Sequence, residues 1–155
     1  AAMACLVTVG STKFEALTQH LDDNASEFLD ILEKELGTVK KLYFQYGKTT
    51  QNFDTLRKLC KERKVQFEAF EFTPKFKEIL AASSLVISHA GAGSITETLH
   101  LKKPLLVVVN ETLMDNHQIE LAEAMCSEGY LFWTNVKGVL EKLSTSNFRK
   151  LKPYP

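Results

Sequence analysis

The sequence predicts an α/β fold built on a mostly parallel six-stranded sheet with helices on both faces. Strand and helix patterns alternate about six times along the chain, which is typical of repeated β-α units. The run Leu105–Val109 is apolar at every position, which indicates a strand buried on both faces. Because no internal repeat, low-complexity tract or linker interrupts the pattern, we expect one domain over residues 1–155.

The individual elements follow from short apolar runs and from helical spacing. The strand patterns, rich in apolar or β-branched residues, lie at residues 5–9, 39–46, 65–72, 85–88, 105–109 and 130–133. The helix patterns lie at residues 14–21, 25–36, 53–62, 74–82, 94–101, 116–128 and 136–143. Apolar residues recur every four positions in the second helix, and Gly37 predicts its end. Asn52 is the expected N-cap of the third helix, and Pro74 is expected to open the fourth.

Composition and charge exclude several classes of protein. Hydrophobic residues make up 45% and charged residues 25% of the 155 residues, so the chain is not disordered. Lysine plus arginine and aspartate plus glutamate number 19 each, so no net charge attracts nucleic acid. The apolar runs are far shorter than the roughly 20 residues of a membrane span. Three widely spaced cysteines indicate a reducing, cytosolic setting without disulfides or zinc.

Three strand ends carry a short polar residue followed three positions later by glutamate or glutamine. The pairs are Thr12 with Glu15, Ser94 with Glu97, and Asp115 with Gln118. Each pair is typical of a helix capping box, and capping alone is one interpretation. Because open parallel sheets bind ligands at the carboxyl ends of their strands, a ligand site is the other.

The segment around Ser94 favours an anion site. Gly91 and Gly93 leave a turn without side chains, so its N–H groups can approach a ligand closely. The helix predicted to begin near Ser94 presents unpaired N–H groups and a positive dipole end. Together these features suit a diphosphate. His89, beside the glycines, can donate a hydrogen bond to phosphate or satisfy a backbone carbonyl.

Other phosphate and catalytic motifs are incomplete. The segment GAGSIT (residues 91–96) lacks the third glycine of the dinucleotide fingerprint. Gly47-Lys48-Thr49 follows a strand as a phosphate loop would, but Leu42 occupies the place of its first glycine, so we reject that motif. The sequence contains no G-x-S-x-G elbow, no H-E-x-x-H and no paired Cys/His spacing, so no metal is expected.

The order of these motifs resembles the donor-binding half of two-domain (GT-B) nucleotide-sugar glycosyltransferases. The segments SHAGAGS (residues 88–94) and LMDNHQ (residues 113–118), with Lys103-Pro104 between them, carry the resemblance. They are most similar to the catalytic, donor-binding subunits of the eukaryotic UDP-N-acetylglucosamine (UDP-GlcNAc) transferase of dolichol-linked oligosaccharide synthesis. Bacterial lipid-II-forming N-acetylglucosaminyltransferases are more distant. The resemblance covers nearly the whole chain and implies a Rossmann-like, single nucleotide-sugar donor-binding domain.

The resemblance also implies a role for each site residue. His89 is the candidate for stabilising the leaving diphosphate, and no general base is assigned. The bacterial relatives have two glycines in the first loop where this chain has one, and a bulky residue at the position of Gly93. The resemblance implies that Glu97 contacts the ribose and that the diphosphate is bound by Gly91, Ala92, Gly93 and Ser94. The donor phosphates and sugar would be contacted by the first loop, Gly10, Ser11 and Thr12. The uracil would lie against Phe72 and Thr73, and the sugar hydroxyls would be bound by Asn116, His117 and Gln118.

The implied reaction is an inverting transfer that adds the second GlcNAc to GlcNAc-diphosphodolichol. UDP-GlcNAc would be the donor substrate, with no cofactor. Because GT-B enzymes need two domains, the resemblance implies a heterodimer with a membrane-anchored, acceptor-binding subunit. That partner would recruit this cytoplasmic chain to the cytosolic face of the endoplasmic reticulum. The alternative is a non-catalytic nucleotide-sugar-binding regulatory module. A self-contained epimerase and a dinucleotide-dependent oxidoreductase are disfavoured by the chain length and by the broken fingerprint.

Overall fold

The computed structural model describes residues 3–112 and 116–155, which form one six-stranded sheet with helices on both faces. The strand order is β3-β2-β1-β4-β5-β6, and every pairing between neighbours is parallel. The predicted fold class is therefore confirmed. The strands are β1 (Met3–Thr8), β2 (Val39–Gln45), β3 (Gln66–Phe70), β4 (Leu85–His89), β5 (Leu105–Val109) and β6 (Phe132–Asn135).

Seven helices connect and follow these strands within the described residues. None of them is long and apolar enough to cross a bilayer. A short 3₁₀ turn at Phe148–Lys150, which the sequence analysis did not predict, follows the last helix. The helices are α1 (Glu15–Asp23), α2 (Ala25–Leu36), α3 (Asp54–Glu62), α4 (Phe76–Ala82), α5 (Ala92–His100), α6 (Asn116–Ser127) and α7 (Val139–Thr145).

Two hydrophobic cores lie on opposite faces of the sheet, because side chains alternate along each strand. On β1, Cys5 and Val7 point into one core, whereas Ala4 and Leu6 point into the other. Helices α1, α2, α3 and α7 cover the first face, and α4, α5 and α6 cover the second. Strand β5 is buried along its whole length, as its uniformly apolar sequence predicts.

The chain changes direction in the sheet between β1 and β4. It moves outward from β1 to β3, returns to place β4 beside β1, and then moves outward on the other side. The connections that leave β1 and β4 therefore run to opposite faces, which makes the carboxyl ends of these two strands the topological switch point of the sheet. Such a switch point is where sheets of this topology bind ligands.

The start of α3 differs from the prediction. Asn52 is not the N-cap. Phe53 takes that position, with a left-handed backbone (φ 57°), because its side chain is buried in an aromatic cluster whose nearest ring, that of Phe44, is 4.6 Å away. The first turn of α3 has no side-chain cap, but one of its N–H groups is bonded to another helix: the backbone N–H of Leu56 donates to Asp22 Oδ1 of α1 over 2.8 Å.

The remaining boundary differences are small. Pro74 lies two residues before α4 rather than at its start. The last strand and the last helix begin two and three residues later than predicted, at Phe132 and Val139. The α2 helix has the predicted bounds, and its C-cap is Gly37 (φ 80°).

Candidate functional site

A histidine ring joins the loops that follow β1 and β4. A Cβ atom added to Gly10 would lie 2.6 Å from His89 Nε2, and one added to Gly91 would lie 2.3 Å from His89 Cε1. Both distances are shorter than any ordinary contact between such atoms. The imidazole therefore packs between two stretches of bare backbone, and glycine at both positions permits this packing. Gly10 also has a left-handed backbone (φ 62°), which favours glycine there.

His89 is neutral in this position. Burial lowers its pKa from 6.5 to about 4, because a charged imidazolium loses its hydration there. A neutral ring has one nitrogen that donates and one that accepts. Nε2 lies 3.1 Å from Ser94 Oγ, so the histidine and the serine share one hydrogen bond. In the ligand-free site His89 is therefore a neutral hydrogen-bonding group near pH 7.

Helix α5 begins two residues earlier than predicted. Its first residue is Ala92, and its N-cap is Gly91, which carries no capping side chain. Ser94 is thus the third residue of the helix, so the predicted capping box of Ser94 with Glu97 is wrong. The physical reason is that the Ser94 hydroxyl is bonded to His89 instead. The first turn of a helix without a side-chain cap leaves N–H groups available to a ligand, and Ala92 and Gly93 are exposed.

The first loop is held by its own short hydrogen bonds. Thr12 Oγ1 donates to the carbonyl oxygen of Val9 over 2.7 Å, and the N–H of Gly10 donates to Thr8 Oγ1 over 3.0 Å. Helix α1 begins at Glu15 without a side-chain cap. The predicted capping box of Thr12 with Glu15 is therefore wrong, because the Thr12 hydroxyl closes a turn within the loop.

The other predicted site residues lie on separate loops of the same edge. Phe72 follows β3 and is 74% exposed, and Thr73 Oγ1 accepts a hydrogen bond from the N–H of Lys75. Strand β3 is two strands from β1, about 10 Å away at normal strand spacing. The structure therefore brings together Gly10, His89, Gly91 and Ser94, but it leaves Phe72 and Thr73 apart from them.

The predicted sugar-binding segment opens α6. His117 is exposed, with Nδ1 lying 3.6 Å from Glu120 Oε2, and Gln118 is partly buried. Asp115 lies outside the described residues, and so does the side chain of Asn116. The predicted pairing of Asp115 with Gln118 therefore lies outside them too. Glu97 is exposed on α5, one turn beyond the start of the helix.

Two residues beneath the first loop were missed by the sequence analysis. Thr8 Oγ1 donates to Gln45 Oε1 over 2.6 Å, and both side chains are buried. This pair supports the N–H of Gly10 from below. The available signal was a polar residue at the end of each of two apolar strands, but their pairing depends on a sheet register that the sequence does not show.

The remaining nucleophiles and possible metal ligands add no second site. Burial raises the pKa of Cys5, and it raises that of Cys60 to about 11, so both are protonated thiols near pH 7. Across residues 3–112 and 116–155, no three His, Cys, Asp or Glu side chains are grouped so that they could hold a metal ion.

The strand order is that of a Rossmann-like sheet, the class of sheet found in GT-B glycosyltransferases, and its central loops carry a histidine packed between two glycines and an uncapped helix N-terminus. The chain belongs to the glycosyltransferase family 28 C-terminal domain family, whose profile matches residues 4–155. The predicted resemblance is therefore confirmed at the level of the family.

Proteins from several eukaryotes are similar to this chain in sequence. The UDP-N-acetylglucosamine transferase subunit ALG13 of Cryptococcus neoformans is 37% identical over an alignment 174 residues long, gaps included. The alignment covers 96% of this chain and 84% of that protein. The mouse protein of the same name is 42% identical over 127 residues, or 82% of this chain and 10% of that protein. The human one is 40% identical over 84% of this chain and 11% of that protein. This chain thus spans about a tenth of the mammalian relatives.

Solved structures share the fold. A solution structure of ALG13 has a TM-score of 0.69 and 29% identity, and the match covers 99% of this chain and 90% of that one. A crystal structure of MurG from Acinetobacter baumannii has a TM-score of 0.71 and 19% identity. That match covers 97% of this chain and 43% of MurG, and at this identity it shows the fold alone.

The neutral state of His89 predicts how stability depends on pH. Its pKa is about 4 in the folded protein and about 6.5 when unfolded, so the unfolded chain binds more protons between these values. The free energy of unfolding should therefore fall as the pH drops from 6.5 to 4, by at most about 1.4 kcal/mol per pH unit from this group. Urea titrations should show a shallower slope for His89→Gln. A ring signal titrating near pH 6.5 in NMR would contradict the assignment.

The packing against His89 predicts opposite effects for two glycines of one segment. Gly91→Ala should destabilise the protein by about 1–3 kcal/mol, because its Cβ overlaps the imidazole. Gly93→Ala is the matched control. Its Cβ would meet nothing within 4 Å, and alanine favours a helix, so stability should be unchanged or higher by up to about 1 kcal/mol. In a His89→Ala background the cost of Gly91→Ala should shrink. Equal costs in both backgrounds would show that the imidazole is not responsible.

Proposed function

We propose that this chain binds UDP-GlcNAc at the carboxyl ends of β1 and β4 and serves as the donor-binding part of an N-acetylglucosaminyltransferase. One observation carries the proposal: the His89 ring, packed between Gly10 and Gly91 and bonded to Ser94, joins a glycine loop to an uncapped helix N-terminus. Such a place suits a diphosphate. Family membership and the names of the relatives support the choice of donor.

The geometry of α5 suggests how a nucleoside diphosphate would lie. The N–H groups of Ala92, Gly93 and Ser94 would bind the diphosphate at the start of the helix. Glu97 is four residues after Gly93, so the two share one helix face and are separated by about 6 Å of rise. That spacing suits a ribose attached to the diphosphate, and the exposed Glu97 carboxylate would accept hydrogen bonds from its two hydroxyls.

The outer loops would bind the two ends of the donor. Phe72 presents an exposed ring on which the uracil can stack, and Thr73 follows it. At the other end, Asn116, His117 and Gln118 would bind the sugar hydroxyls from the start of α6. Ser11 and Thr12 would contact the phosphates or the sugar from the first loop. We therefore retain all the predicted donor contacts as part of the proposal.

In the proposed inverting reaction, an acceptor hydroxyl gives up its proton to a general base, which we do not assign, and its oxygen attacks the anomeric carbon. The bond from that carbon to the diphosphate breaks, and UDP leaves. Negative charge grows on the leaving diphosphate in the transition state. The positive end of α5 would stabilise this charge with N–H groups that are already oriented. His89, whose ring is neutral near pH 7 in the ligand-free site, would contribute by hydrogen bonding, directly or through Ser94. The proposed chemistry uses no metal and no cofactor.

The proposed acceptor is GlcNAc-diphosphodolichol, held by a membrane-anchored partner subunit at the cytosolic face of the endoplasmic reticulum. Two findings support a partner. The relatives are named subunits of a UDP-N-acetylglucosamine transferase, and the matching family describes a C-terminal domain. The chain would then be the donor-binding member of a heterodimer.

Donor selectivity tests the proposal directly. A ligand at 100 times its dissociation constant stabilises the protein that it binds by about 2.7 kcal/mol, which raises Tm by roughly 5–10 °C for a chain of this size. Thermal denaturation with UDP-GlcNAc should show such a shift, and UDP-glucose, GDP-mannose and NADH should shift Tm less. A larger shift with NADH would contradict the proposed donor class. Transfer to a dolichol-linked acceptor by the chain alone would contradict the partner requirement.

Glu97→Gln tests the ribose contact. Loss of a charged hydrogen-bond acceptor should weaken UDP-GlcNAc binding by about tenfold or more, measured by calorimetry, whereas Tm without ligand should stay unchanged because the side chain is exposed. Glu62→Gln is the control, since Glu62 is an exposed glutamate on α3, on the other face of the sheet. If Glu97→Gln lowered the stability and left the affinity unchanged, Glu97 would have a structural role only.

A further inference from the structure

The segment Gly47-Lys48-Thr49, which fails as a phosphate loop, lies directly against the first loop. Gly47 has a left-handed backbone (φ 57°), and a Cβ atom added to it would lie 2.5 Å from the carbonyl oxygen of Thr12 and 2.6 Å from that of Gly10. Both obstacles are backbone atoms, which no side-chain rotation can relieve. Gly47 therefore allows the loop after β2 to pack against the peptide groups of the loop after β1.

Two hydrogen bonds fasten the far end of the first loop to the same segment. The N–H of Lys48 donates to the carbonyl oxygen of Thr12 over 3.0 Å. The N–H of Phe14 donates to Thr49 Oγ1 over 2.9 Å, and Thr49 is buried. At the near end, the N–H of Val9 donates to the carbonyl oxygen of Gln45 over 3.0 Å. The first loop is thus bonded to β2 and to the loop after it at both ends.

The Lys48 side chain does not take part in this contact. Its Nζ lies 3.2 Å from Glu71 Oε1, at the end of β3, and both side chains are exposed. In a phosphate loop the lysine reaches the phosphates and the glycine-rich backbone surrounds them. Here the backbone of the segment packs against the loop after β1 instead, and the lysine forms an ion pair with Glu71.

We propose that Gly47 and Thr49 are positioning residues, which set the shape of the first loop (Gly10, Ser11 and Thr12) and thereby act on the donor without touching it. The proposal rests on the proposed function, because it assumes that the first loop contacts the donor. Gly47 and Thr49 match the glycine and threonine of a phosphate loop in type and order. Here, however, they would support the first loop, and that loop would bind the phosphates.

Calorimetry with UDP-GlcNAc on single variants of the chain tests this. Gly47→Ala and Thr49→Val should each weaken binding by roughly tenfold or more. Thr49→Ser keeps the acceptor for Phe14 and should bind like the wild type. Ser83→Ala is the matched control: Ser83 is buried at the end of α4, and its hydroxyl donates to the carbonyl oxygen of Ile79 over 2.7 Å. Its loss removes a buried hydroxyl without reaching the first loop or Phe14.

Lys48→Met separates positioning from direct contact, because it removes the charge and keeps the backbone N–H. Its loss of affinity should be much smaller than that of Gly47→Ala. An equal or larger loss would show that Lys48 binds phosphate, and would overturn the proposal. Wild-type affinity in both Gly47→Ala and Thr49→Val would overturn it as well. If Gly47→Ala did not fold, the comparison of Thr49→Val with Thr49→Ser would decide.

A ligand-free measurement keeps the inference separate from the proposed function. The amide NMR signals of the first loop should shift in Thr49→Val and remain in place in Ser83→Ala. If the wild type bound no UDP-GlcNAc, the proposed function would fail, but these signals would still report whether Thr49 positions the loop. Unchanged signals in Thr49→Val would overturn the positioning role even if the wild type bound the donor.

Discussion

The packing of one imidazole between two glycines is the constraint on which the candidate site depends. Strands β1 and β4 are neighbours in the sheet, but the loops that follow them come from distant parts of the chain. His89 fills the space between these loops, in contact with Gly10 and Gly91, and its hydrogen bond to Ser94 fixes the first turn of α5. A smaller residue would leave a cavity, and a side chain on either glycine would displace the ring. The spacing of the two loops is therefore set by a packed contact.

The parts of the site differ in how firmly they are held. The first loop is bonded to β2 and to the loop after it, and α5 is fixed through His89. By contrast, Phe72 is an exposed side chain on the loop after β3, and His117 is exposed in the first turn of α6. Backbone groups at the centre suit a diphosphate, which nucleotide-sugar donors share. Exposed side chains suit the base and the sugar, which distinguish one donor from another. Donor selectivity would therefore be expected to vary at these side chains without changes in the central loops.

The sequence predicts the sheet well because strand burial is a local property: the uniformly apolar β5 and the bounds of α2 follow from their own residues. Helix starts follow less well. The sequence predicts Ser94 as an N-cap, but Ser94 lies inside α5 and its hydroxyl is hydrogen-bonded to His89. Phe53 has no capping chemistry, yet it precedes α3, because an aromatic cluster holds its ring. Thr8, Gln45 and Thr49 were missed as support for the first loop because their partners are more than thirty residues away in sequence and depend on strand register.

The low pKa of His89 also bears on the role of this side chain in the proposed reaction. A general base works best when its pKa lies near the working pH, and a group with a pKa of about 4 is too weak a base to accept a proton efficiently from an acceptor hydroxyl near pH 7. The N–H groups of α5 do not titrate, so they can stabilise the leaving diphosphate over a wide pH range. The start of α5 is thus suited to the leaving-group side of the transfer. His89 is therefore suited to the leaving diphosphate rather than to activation of the attacking hydroxyl.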